Sequence, residues 1–179
     1  HSQKKMLAQM IKNYVANGGF LFAMCSATDS FDIALATQNI DIAHSVFDRT
    51  PIQKDLLSEL KYDNTMAFNN FKIISDPMVY EYSDIDYPPS NNPIVRGAEA
   101  DYFSLFSFSA KYDPIPAMLT QNHVSTVRGF MGQTTGYNRK KIKNHIIILG
   151  EDQTSPQVKY IHGNHGKGTF TFLGGHDPE

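Results

Sequence analysis

Asn17-Gly18-Gly19-Phe20-Leu21-Phe22-Ala23-Met24-Cys25-Ser26-Ala27-Thr28-Asp29-Ser30-Phe31-Asp32 is the stretch whose reading decides the fold. Phe20 to Met24 is apolar at every position, so a strand built from it needs cover on both faces, as an inner strand of a parallel sheet has. Thr28, Asp29 and Ser30 carry oxygens that can cap a helix, and Phe31, Ala34 and Leu35 place its inward stripe over about residues 30–37. Upstream, Met6, Leu7, Met10, Ile11, Tyr14 and Val15 recur at helical spacing between Ser2 and Gly19. Asn17-Gly18-Gly19 supplies residues tolerant of the left-handed turn that ends such a helix. Helix, buried strand, sharp turn and helix is an α/β pattern.

Outward from this stretch the texture changes. Residues 51–101 are rich in Pro, Asn, Asp and Tyr and include Asp86-Tyr87-Pro88-Pro89-Ser90-Asn91-Asn92-Pro93, which predicts a long excursion. Strands are expected at about 65–75, 102–110 and 126–133, so the irregular, β-rich excursion spans about residues 48–135. His145 to Gly150 is a further short apolar run, and 157–163 with 169–173 flank Asn164-His165-Gly166-Lys167-Gly168 as a hairpin. A doubly wound sheet needs a strand before each crossover helix, yet this chain opens on a helix feeding a central-type strand. The expectation is that residues 1–179 form a single domain that is the C-terminal portion of a larger protein, the N-terminal part of the sheet being absent from this chain.

Composition narrows the function classes. The chain has 179 residues, 41% of them hydrophobic, enough for one domain with a sizeable core. Sixteen Lys and Arg against 18 Asp and Glu give no reason to expect nucleic acid as a partner. No apolar run reaches the ~18–20 residues that span a bilayer, and no hydrophobic region of a signal peptide follows His1 to Lys5. With one cysteine, Cys25, an intramolecular disulfide is excluded.

Cys25 stands where the apolar strand ends and the capped helix begins. A nucleophile on such a strand-to-helix elbow projects above the sheet, and the turn admits only small neighbours, a requirement that Ala23 and Ala27 meet. The adjacent helix N-terminus favours a thiolate, and its amides can hold a developing oxyanion. A buried, inert core thiol is the competing reading. A thiol nucleophile needs a base, and His176 follows the strand 169–173 through Gly174-Gly175. If that strand and 20–25 share one parallel sheet, their C-terminal ends share one rim, where open α/β sheets place their sites. A tight turn with His176 capping a helix is the alternative. Ser26 and Asp29 at the elbow, with His123 and Arg128, are candidate ligand-binding residues. His162, His165 and His176 could form a metal set, although glycine-rich hairpins usually carry solvated histidines. No cofactor motif is present, since Gly163-x-x-Gly166-x-Gly168 does not follow the strand, loop, helix order of a phosphate cradle.

Residues 17–32, with Tyr160-Ile161-His162-Gly163, Gly166-Lys167-Gly168-Thr169 and Gly174-Gly175-His176-Asp177-Pro178-Glu179, resemble a group of bacterial proteins common in Bacteroidetes and labelled asparagine synthetase B-like. The resemblance runs over nearly the whole chain. It implies a longer protein whose upstream region often begins with an export signal, and hence a periplasmic setting where such a signal is present. No motif of an N-terminal-cysteine glutaminase or of an ATP-binding synthetase domain stands in this chain. The kinship extends to the class I glutamine amidotransferase-like fold, a three-layer flavodoxin-like parallel sheet, and within it to the trehalose-utilisation (ThuA-like) proteins. Carried over, Cys25 is the nucleophile, His176 the base and Glu179 its orienter. Ala27 replaces the glycine of the amidotransferase elbow, and His-Asp-Pro-Glu is one residue longer than their His-Pro-Glu, as in ThuA-like proteins, which often lack a working triad. The resemblance thus implies a glutaminase-type amide hydrolase acting on a small amide, or a non-catalytic domain binding a carbohydrate. A metal-dependent hydrolase is a third and weaker reading.

Overall fold

The computed structural model describes residues 2–53, 58–79, 81–87, 102–105, 126–128, 136–153 and 155–175. The elements are α1 (Ser2–Ala16), β1 (Phe20–Met24), α2 (Ser26–Ala36), a short α3 (Ser45–Asp48), β2 (Tyr102–Leu105), β3 (Thr126–Arg128), β4 (Tyr137–Asn138), β5 (Ile147–Glu151), β6 (Gln157–His165) and β7 (Gly168–Leu173). One sheet runs in the order β1-β7-β6-β5-β2-β3, with β4 pairing β6 off this path. The chain is mixed α/β. Among the described residues only β1 and β7 are parallel, in the register Phe20 with Thr169 through Met24 with Leu173. Every other ladder is antiparallel.

Alternation along the strands sorts the two faces of the sheet. Leu21 and Ala23 share one face with Phe170 and Phe172, and there α1 contributes Ala8 and Val15 and α2 contributes Phe31 and Leu35 to the core. Phe31 meets the Phe172 ring edge-on, with centroids 6.3 Å apart. Phe68 stacks on Phe172 and packs obliquely against Tyr137, extending the same core under β6. On the other face of β1, Phe20, Phe22 and Met24 are exposed. The two-sided cover expected for this strand is therefore supplied on one side by the described residues.

The hairpin of β6 and β7 forms as the sequence predicts, with Gly166 at φ 60 in its two-residue turn and Lys167 tied by its amide to the Ala16 carbonyl at 2.9 Å. The helix after β1 departs from expectation at its start. It begins at Ser26 rather than near Ser30, with Cys25 as N-cap and no side-chain cap bond. Thr28, Asp29 and Ser30 thus lie inside its first two turns. The strand expected at 65–75 is replaced by loop containing two isolated bridges, Phe68 with Ile142 and Ile73 with Ser83. A buried carboxylate outcompetes ladder formation there. Asp32 Oδ1 accepts the Met66 amide at 2.7 Å, and Oδ2 accepts those of Ala67 and Phe68, each at 2.8 Å. Of the strands expected at 102–110 and 126–133, β2 and β3 are the described parts.

Burial raises the Asp32 carboxyl above its ordinary range, opposed by those three amides and by nearby Lys143. The carboxylate is the connector that pins α2 to the loop carrying Met66, Ala67 and Phe68. Removing it strands three buried donors, each costing ~1–3 kcal/mol. Asp32→Ala is expected to destabilise the protein by at least ~3 kcal/mol in urea unfolding, and Asp32→Asn, which keeps one acceptor oxygen, by less.

Candidate functional site

Cys25 sits at φ 56, ψ −142, a backbone conformation that glycine occupies freely and other residues adopt at a cost. The conformation is imposed from both sides. Its amide donates to the Leu173 carbonyl at 2.9 Å, continuing the parallel ladder one residue beyond β1. Its carbonyl already belongs to α2, accepting the Thr28 amide at 3.1 Å and the Thr28 hydroxyl at 2.7 Å. One residue must end the strand and open the helix, and a positive φ is what makes that turn in a single step. The amides of Ser26 and Ala27 lie in the first turn, where no preceding carbonyl of the helix can reach them.

Cys25 is buried, 8% exposed, but its surroundings are polar. Tyr137 is fully enclosed, and its phenol lies near Thr28, Asp29, Asp86 and Cys25. Burial chiefly, then Asp29, Asp86 and Cys25, hold that phenol well above its usual range, against a weaker pull from the Thr28 hydroxyl. Tyr137 is thus a neutral phenol at the foot of the elbow. Asp29 and Asp86 are both buried carboxylates, and a group of this kind is retained inside a core at a cost that polar neighbours must offset. Lys159, 1% exposed, accepts the Gly174 amide on its carbonyl at 2.7 Å, which sets it beside the end of β7.

Of the residues singled out in the sequence, Cys25, Ser26 and Asp29 come together at the elbow, Ser26 half-buried and Asp29 buried. Because β1 and β7 are adjacent and parallel, both end at one rim. Beyond Leu173 the chain passes through Gly174 and Gly175, the latter at φ 93. His176, Glu179 and His123 lie outside the described residues. Arg128 is on β3, at the opposite end of the strand order from β1, so its backbone is five strand spacings, roughly 24 Å, from the elbow. His162 is a core histidine, 2.8 Å from the Thr171 hydroxyl across the hairpin and shifted down by burial. His165 is shifted down by burial and then by Lys12 and Lys143. Among the described residues no three His, Cys, Asp or Glu side chains converge as metal ligands. Among the same residues, no helix is long and apolar enough to cross a membrane.

Sequence reasoning missed Tyr137, Asp86 and Lys159. Nothing in Gly136-Tyr137-Asn138 marks a tyrosine under an elbow, because β4 reaches it only by pairing with β6. Asp86 carries a faint signal, as an acid in a tyrosine-rich turn, and its bridge to Tyr137 is what brings it inward.

Compared with family models, with curated proteins and with solved structures, the chain has no match.

Two outcomes follow from this geometry. Because Cys25 sits at positive φ, Cys25→Gly is expected to be more stable than Cys25→Ala by about 1 kcal/mol in urea unfolding, the reverse of the usual glycine penalty. Since burial lowers the folded pKa of His162 below its ordinary 6.5, the unfolded chain takes up a proton first as pH falls. Stability is therefore expected to decline from pH 7.5 to about 5.5, with a shallower decline in His162→Gln, read as urea midpoints across that window.

Proposed function

We propose that the chain is a cysteine-dependent amide hydrolase of the glutaminase type, with Cys25 as nucleophile, His176 as base and Glu179 as its orienter. The observation that carries the reading is the backbone of Cys25, held at φ 56 at the shared rim of the only parallel strand pair among the described residues. Strain of this kind persists where surroundings enforce it, and it clusters at reactive positions. The parallel pairing of β1 and β7 and the immediate start of α2 support reading this turn as a class I amidotransferase-like elbow. They support carrying that resemblance to this part of the chain.

In the proposed reaction the Cys25 thiol gives its proton to His176 and the sulfur attacks the amide carbonyl carbon. A C–S bond forms, and the carbonyl oxygen becomes an oxyanion within reach of the first-turn amides of Ser26 and Ala27. His176 returns the proton to the leaving nitrogen as the C–N bond breaks, freeing the amine and leaving a thioester. Water, deprotonated by the same imidazole, then attacks the thioester carbonyl; the C–S bond breaks, the imidazolium returns the proton to the sulfur, and the acid is released. Glu179 keeps the imidazole in the tautomer that faces the thiol.

A second reading, a non-catalytic domain of the ThuA-like kind, is favoured by one observation. Asp29, Asp86 and Tyr137 form a buried polar floor beside the thiol, which suits recognition of hydroxyls as well as it suits chemistry. Here the rim would bind a carbohydrate and Cys25 would be inert.

Alkylation separates the two. Native protein exposed to iodoacetamide at neutral pH is expected to be modified at Cys25, followed by intact-mass measurement, and to lose whatever glutaminase activity it has. His176→Ala should slow the modification by tenfold or more while leaving the unfolding midpoint unchanged. A thiol that reacts only after denaturation sinks the enzymatic reading.

A further inference from the structure

Tyr137 carries a hydroxyl that packing alone does not explain. The side chain is fully enclosed, with its ring centroid 5.1 Å from that of Phe68, and phenylalanine would fill the same space. The phenol oxygen has no aligned hydrogen-bond partner among the described residues. Thr28 lies near enough to perturb it, but the Thr28 hydroxyl gives its own proton to the Cys25 carbonyl at 2.7 Å and is not aligned to accept from the phenol. A buried hydroxyl in this state has given up hydration and gained nothing in exchange, so its retention points to a further acceptor.

The sheet delivers that hydroxyl to the elbow. Gly174 donates its amide to the Lys159 carbonyl at 2.7 Å, and Tyr137 pairs with Val158, the next residue of β6. β4 thus takes up on β6 where β7 leaves off, past the rim at which β1 also ends. The join is tight, since a Cβ on Gly174 would stand 3.3 Å from the Gly136 Cα. Helix α2 starts beside this place, and its first-turn amides at Ser26 and Ala27 have no intrahelical acceptor. Two amides and one phenol are therefore grouped at the Cys25 turn. Asp29 and Asp86 are buried close to the phenol and keep it protonated, hence a donor, although their charge opposes an anion there. The positive end of α2 acts against them, as does the basic side chain of Lys159, buried in the register row of Cys25 and Gly174.

We propose that Tyr137 is a third donor of the oxyanion site, a catalytic residue whose O–H is kept for the oxygen that turns negative when the Cys25 sulfur attacks a carbonyl carbon. The inference rests on Cys25 being the nucleophile, and it adds a residue from outside the strand-turn-helix segment. In the step concerned a C–S bond forms, the carbonyl π pair moves to oxygen, and that oxygen accepts from the phenol and from the amides of Ser26 and Ala27. Tyr137 keeps its proton throughout. When the intermediate collapses the pair returns to the carbonyl and the leaving group departs. A donor paired only with the transient species lowers the barrier without tightening the ground state.

Two reagents that meet the same thiol separate this role from a structural one. p-Nitrophenyl acetate acylates sulfur through a tetrahedral oxyanion and expels p-nitrophenolate, whereas iodoacetamide alkylates it by displacing iodide and creates no oxyanion. In Tyr137→Phe the ratio of acylation rate to alkylation rate at Cys25 is expected to fall tenfold or more at neutral pH, read by p-nitrophenolate release and intact mass with Cys25→Ser as the blank. The urea midpoint of Tyr137→Phe is expected to hold or rise, because the hydroxyl removed has no aligned partner within the described fold. An unchanged ratio, as for a phenol that merely holds a buried water, overturns the inference while leaving Cys25 as nucleophile. So does a clear fall in the midpoint, which would mean that the hydroxyl is bonded inside the protein. A wild-type thiol inert to both reagents instead sinks the nucleophile itself, and with it this role for Tyr137.

Discussion

Parallel pairing of β1 with β7 is the constraint on which the rest of this fold depends. Antiparallel neighbours can be linked by a turn, and β6 and β7 are; parallel neighbours need a connection that returns to the same end. Here nearly the whole chain is that connection, since Phe20 pairs with Thr169. Once made, the pairing sets α1 and α2 on one face of the sheet, aligns the Cys25 amide with the Leu173 carbonyl and delivers the chain after β7 to the same rim.

The elbow shows how such a fold sustains local strain. Cys25 is gripped by the β7 carbonyl before it and by Thr28 after it, and neither grip can relax without unpairing a strand or opening a helix. Asp32, two turns further along α2, provides the counterweight, because three amides of the 66–68 loop converge on it. Helix α2 is thereby held at both ends, and the strained residue has nowhere to move. The cost of one awkward dihedral pair is small beside the buried hydrogen bonds that enforce it.

Much of the elbow was legible from residues 17–32 alone. An apolar run of five, glycines before it and small residues around Cys25 locate β1, the turn and α2, and the hairpin of β6 and β7 is readable from its alternation and its glycines. What local pattern could not supply was partnership. Phe20 to Met24 reads as an inner strand because both faces are apolar, but the neighbours available to it among the described residues cover only one face. Residues 65–75 have strand-like texture, yet a single aspartate 34 residues away from Met66 claims the amides of Met66, Ala67 and Phe68. Among the described residues β5, β6 and β7 follow one another through short links, and short links make antiparallel ladders where a parallel sheet was expected. Tyr137 and Asp86 were invisible because their approach to the thiol is a product of two bridges, not of spacing.

The long reach from Phe20 to Thr169 also governs the order of events during synthesis. At ribosomal speeds, roughly ten seconds or more separate the emergence of β1 from that of its partner. During that interval α1 and β1 exist without β7, and the side chains they later bury, Ala8, Val15 and Ala23, lack that cover. The hairpin that finally supplies β7 is local and quick to form. Pairing of β1 therefore waits on a segment made long after it.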